Sequence, residues 1–143
     1  MKALVFSLAV ILTAGLAAEI ALIQPKELAA RLAAQSTQPT VLHIGPNVLY
    51  RSKHIPAAVY AGPASKPEGL ELLKQAVDKL PRDGEIILYC GCCPWVKCPN
   101  VRPAIALLQQ MGFTHAKAIY LETSFANDWI DKGYPVEAGT PKQ

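Results

Sequence analysis

The sequence predicts an α/β domain built on a mostly parallel sheet flanked by helices, and three observations carry that prediction. Short, continuous apolar runs recur at Val41–Ile44, Glu85–Cys90 and Ala116–Leu121, as expected of strands covered on both faces. Stretches with helical apolar spacing alternate with them, and alternation of this kind marks a parallel sheet. The chain has 143 residues, the length of one domain, and 51% of them are hydrophobic, enough for a packed core.

The N-terminus reads separately from this domain. Met1-Lys2 supplies a short positive start, Ala3–Leu12 is an apolar run, and small residues follow through Ala18. That order predicts a signal peptide over residues 1–18, cleaved after Ala17 or Ala18, and an exported, periplasmic or secreted, mature domain over 19–143. Ala3–Ala18 is 16 residues, short of the roughly 18 expected of a spanning helix, so no lasting membrane anchor is expected. The formal net charge is +3, and its nearest approach to a cluster is Arg51–His54. Nucleic-acid binding is not expected on that footprint.

Along the mature chain, Pro25 opens a helix striped by Leu28 and Leu32, which Ser36–Pro39 break. Val41–Ile44 is a strand and Gly45-Pro46-Asn47 a turn, after which a loop runs through Pro56. Ala57–Tyr60 is a second strand and Gly62–Glu68 a loop. Leu70, Leu73, Ala76, Val77 and Leu80 stripe a helix over 70–80, ended by Pro81–Gly84. Glu85–Cys90 is the clearest strand. A loop to Asn100 follows it, then a helix with Asn100 as its cap, Pro103 in its first turn and Gly112 at its end. Ala116–Leu121 is a strand, Phe125–Lys132 a short helix stopped by Gly133, and Thr140–Gln143 a tail.

All four cysteines, Cys90, Cys92, Cys93 and Cys98, lie within nine residues of one loop. Crowded so, they staple nothing remote, and the arrangement points to chemistry rather than a disulfide scaffold. In parallel sheets ligands bind beyond the carboxyl ends of the strands, which is where Cys90 falls. The loop amides and the following helix dipole, about half a charge, favour a thiolate there. Arg102 and Lys97 add cations.

The segment Ile86–Cys90, then a loop, then Val101-Arg102-Pro103-Ala104 through Gly112-Phe113, resembles the active-site segment of the rhodanese family. Ile23–Leu28 resembles that family's first helix. His54-Ile55-Pro56-Ala57-Ala58 resembles its His-Ile-Pro-Gly-Ala motif, and Ala118–Glu122, Trp129 and Gly133–Val136 resemble its closing elements. The resemblance implies a sulfurtransferase without a cofactor or resident metal. A cysteine persulfide would carry sulfane sulfur from a small donor such as thiosulfate to a thiol or cyanide. It implies Cys90 as nucleophile, with Gly91, Cys92, Cys93, Trp95, Lys97 and Arg102 as substrate contacts.

The sequence departs from that family in three places. Leu42–Pro46 lacks the Asp and Arg of the usual strand motif, and Thr123-Ser124 replace a glycine pair. Eleven residues separate Cys90 from Arg102, more than the family's spacing. Only three separate Cys98 from Arg102, which makes Cys98 the alternative nucleophile. For Cys92, Cys93 and Cys98 the readings are a disulfide within the loop, a resolving or redox thiol, or ligation of zinc or copper(I). A module that binds metal or a partner, and a thiol–disulfide oxidoreductase, are accordingly the alternative functions. Trp95 either walls the pocket or packs the loop down. His43 reads as a core histidine, His54 as an anchor for its loop, and His115 as exposed.

Overall fold

The computed structural model describes residues 19–34 and 37–139; the expected signal peptide, the break at Ser36 and the tail from Thr140 lie outside them. In chain order the described residues form β1 (Leu22–Ile23), α1 (Pro25–Ala33), β2 (Thr40–His43), α2 (Asn47–Ser52) and β3 (Val59–Tyr60). They continue with α3 (Pro67–Val77), β4 (Glu85–Tyr89), α4 (Val101–Gln110) and β5 (His115–Ile119). The strands lie in the order β1-β5-β4-β2-β3 and every pairing is parallel. The α/β class with a parallel sheet is therefore what the chain forms. Among the described residues no helix is long and apolar enough to cross a membrane.

β4 is central, and its side chains alternate between two apolar layers, as pleating requires. Ile86, Leu88 and Cys90 pack with Leu73 and Val77 of α3 and with Val101, Ala104, Ile105 and Leu108 of α4. Ile87 and Tyr89 face the other way, onto Leu28 of α1, Tyr50 of α2 and Trp129. This alternation aims the Cys90 side chain at the start of α4.

The structure corrects the expected elements in four places. Asn47–Ser52, expected as loop, is α2. Pro46 stands just before its first turn, and buried Tyr50 anchors it by donating to the Ala58 carbonyl at 2.7 Å. Leu22–Ile23, expected to lead into the first helix, is an edge strand on β5. Helix α3 begins at Pro67 rather than Leu70 and ends at Val77. The segment after β5 is a π-helical turn over Ala126–Ile130, where fully buried Trp129 donates its indole N–H to the Pro135 carbonyl at 2.9 Å.

The motif at His54–Ala58 holds one strained residue. Ala57 stands where the resembling family has glycine, and its φ of +61° lies in the left-handed region. His54 anchors this loop: its Nδ1–H donates to the Tyr50 carbonyl at 2.8 Å, and its backbone pairs with Glu137.

Candidate active site

The loop after β4 is positioned by close backbone approaches. The Ile44 amide donates to the Tyr89 carbonyl at 2.9 Å. Gly45 then lies so near Cys90 that a Cβ there would stand 2.0 Å from the Cys90 carbonyl oxygen and 3.0 Å from its sulfur. Gly91 turns the chain with φ +84°. Trp95–Lys97 form a single 3₁₀ turn, and the Trp95 amide hooks it to the Leu121 carbonyl at 2.9 Å. Half-buried Trp95 lies 6.4 Å from the Tyr120 ring, so it packs the loop onto the chain that follows β5. The loop thus returns Cys98 to the first turn of α4.

All four sulfurs come together. They lie within 4.8 Å of one another, and Cys90 Sγ is 3.2 Å from Cys92 Sγ. All four are free thiols in this structure. Cys90 and Cys98 are buried, Cys93 is half-buried and Cys92 is exposed.

Of the four thiols, Cys98 is the one whose surroundings favour the thiolate. The S–H of Cys90 donates to it, the backbone N–H groups of Asn100 and Val101 point at it, and Cys93 contributes. Against burial, these lower its pKa to about 6. Cys90 is held protonated, first by its bond to Cys98 and then by burial. Burial, with help from its neighbours, pushes Cys93 up to about 12. The sequence placed the helix's influence on Cys90. The longer loop instead sets Cys98 under the α4 amides and leaves Cys90 buried beside it at the end of β4.

Asn100 is the site residue that sequence reasoning used wrongly. It was expected to cap α4, but its side chain makes no capping bond. Its Oδ1 accepts the Ser65 amide at 2.8 Å, and its Nδ2 donates to Cys90 Sγ at 3.1 Å and leans on Cys98 Sγ at 3.9 Å. Asn100 is buried, at 3% exposure, between Cys98 and the start of α4.

Lys97 and Arg102 flank the cluster in sequence but are exposed, and among the described residues neither makes a side-chain hydrogen bond or ion pair. His43, at the end of β2, is 1% exposed. Its Nδ1 accepts the Gly45 amide at 3.3 Å, which places the ring proton on Nε2, and that atom has no partner. Burial lowers its pKa to about 4.

A cavity of about 320 Å³ opens at the opposite end of β4, lined by Arg31, Thr40, Leu80 and Glu85 among others. It contains none of the thiols. The reactive groups, not this cavity, mark the candidate site.

A five-stranded parallel sheet with a cysteine loop between its central strand and the next helix defines a rhodanese-like fold. No family model matches the chain, and no curated protein does. Solved structures do. The rhodanese-like domain of the Alr3790 protein from Anabaena sp. superposes with a TM-score of 0.61 and 22% identity over 85% of each chain. The BH2092 protein from Bacillus halodurans gives 0.63 and 20%, covering 82% of this chain and 77% of that one. A thiosulfate sulfurtransferase from Pseudomonas aeruginosa gives 0.63 and 16%, covering 86% of this chain and 21% of that one. At these identities the likeness is one of fold.

Proposed function

We propose that the protein transfers sulfane sulfur through a persulfide on Cys98, with Cys90 and Asn100 holding that sulfur in place. The observation that carries this reading is the place of Cys98, beneath the first amides of α4 among three further thiols, which lowers its pKa to about 6. A thiolate is the attacking form, and a group ionised near neutral pH is matched to the task. The fold's likeness to a thiosulfate sulfurtransferase supports thiosulfate as the donor to try first. The Cys98 thiolate attacks the outer sulfur of thiosulfate; the S–S bond breaks, sulfite leaves with the electron pair, and a persulfide anion remains. Cyanide or an acceptor thiolate then takes the outer sulfur and returns Cys98 as thiolate. N–H donors that already face the sulfur stabilise the persulfide without rearrangement. Export, with a mature chain starting near Ala18 or Glu19, belongs to the same proposal and is checked by N-terminal sequencing of the secreted protein.

The test is thiosulfate:cyanide transfer by the reduced protein, with single serine replacements. Cys98→Ser is expected to lower turnover at least about 10³-fold, as loss of a covalent nucleophile does. Cys90→Ser is expected to lower it less and to shift the acid limb of the pH profile, because it alters the proton shared with Cys98. Full activity in Cys98→Ser with loss in Cys90→Ser would return the nucleophile to Cys90.

A further inference from the structure

Sulfur transfer employs one nucleophile and at most one resolving thiol, yet four sulfurs converge. S–H groups are weak donors and sulfur a weak acceptor, so mutual thiol contact returns little for gathering them. Their spacing has another reading. A tetrahedral ion bound to four sulfurs at about 2.3 Å holds them about 3.8 Å apart. Here the Cys90 and Cys92 sulfurs are 3.2 Å apart and every pair lies within 4.8 Å, a spread that includes that distance.

The donor chemistry is selective. The set is all sulfur, with no carboxylate or imidazole in it, and soft sulfur favours zinc or copper(I) over magnesium, calcium or manganese. The surroundings also suit bound thiolates. Asn100 Nδ2 donates to Cys90 and reaches toward Cys98, while its Oδ1 is fixed by Ser65. Outer donors of this kind orient metal ligands. Exposed Cys92 and half-buried Cys93 leave a way in.

We propose that Cys90, Cys92, Cys93 and Cys98 bind a single thiophilic d¹⁰ cation, copper(I) or zinc. The ion takes the same sulfurs that would carry persulfide, so loading switches sulfur transfer off. This last consequence rests on the sulfur-transfer reading; the binding site does not.

The experiment uses the full reduced chain without oxygen, in two arms. Copper(I) is offered in competition with a chromogenic chelator. Zinc is titrated directly, with cobalt(II) as its spectroscopic stand-in. One ion per chain in either arm is expected, and the arm that binds more tightly names the metal. Cys92→Ser, at the exposed position, is expected to weaken binding more than about 100-fold, and Asn100→Ala about 10-fold. Far-UV circular dichroism checks that each variant stays folded. Absence of one-to-one binding in both arms overturns the proposal, as does binding unchanged in folded Cys92→Ser. One-to-one binding in a protein without transfer activity would sink the sulfur-transfer reading and leave the metal site standing.

Discussion

The two ends of β4 are built on opposite principles. At its start, Glu85 is locked by charge: Arg31 grips both carboxylate oxygens, and Lys117 donates to one of them at 3.0 Å. At its far end Cys90 enters a cluster of free thiols bounded by an unpartnered histidine nitrogen and a glycine with no room for a Cβ. One end has its charges fully paired. The other keeps reactive groups in contact and leaves polar capacity unspent. Charges already matched to each other offer a ligand less chemistry than unmatched groups held rigidly by their neighbours.

Substitutions that sharpen this contrast differ in size. Gly45→Ala is expected to be the most damaging, at about 4 kcal/mol, because its Cβ would meet a backbone oxygen that has no slack. Urea denaturation measures it, and a loss below about 1 kcal/mol would show that the reactive end yields more than its packing implies.

The next effect is pH-dependent. His43 is held neutral in the fold with a pKa near 4, while an unfolded histidine titrates near 6.5. Its stabilising contribution is present above pH about 6.5 and is lost as pH falls toward 4, where the unfolded chain gains the proton first. The loss is about 3 kcal/mol at most. His43→Gln should flatten that limb; an unchanged slope would assign it elsewhere.

Glu85 gives a smaller effect at lower pH. Arg31, followed by Lys117, holds its pKa near 2 against the pull of burial. Its contribution is present above the ordinary carboxylate pKa and is lost as pH falls toward 2. At a quarter exposed, solvent screening reduces the loss in Glu85→Gln at pH 7 to about 1 kcal/mol. Chemical denaturation at pH 7 and pH 3 separates the two limbs.

The smallest effect has the opposite sign. Ala57→Gly relieves a left-handed φ but frees the unfolded chain, for a net gain of about 0.5 kcal/mol. A loss in thermal melting would show that the Ala57 methyl packs more than it strains.

The sequence made the centre of the sheet plain and its margins obscure. β2 and β4 are mostly buried, β5 is buried at its end, and all three are flanked by turn residues, so their pattern is readable. β1 is two residues, too short to show a period, β3 fills only the last two residues of the strand read at Ala57–Tyr60, and α2 has only Tyr50 buried. Such elements exist because the sheet and core accept them, which local pattern does not report. In the site, the cysteine cluster and its place after β4 were legible. Which sulfur holds the charge was not, because it depends on how the loop folds back, and its anchor is a backbone bond from Trp95 to Leu121 with no side-chain signature. The role of Asn100 was hidden for a similar reason. Its partners, Ser65 and Cys90, lie 35 and 10 residues away.

That the four sulfurs come from nine consecutive residues also bears on the unfolded chain. Loops so short keep their ends at millimolar or higher effective concentration even without a fold. A cation or oxidant that engages the native cluster will therefore also engage the denatured one, and only the difference stabilises the protein. Melting temperature will rise less on loading than the affinity alone implies. The same proximity lets oxidised, partly unfolded chains close local disulfides before β4 and α4 have docked, making the redox state of the medium during folding a determinant of how much active protein is recovered.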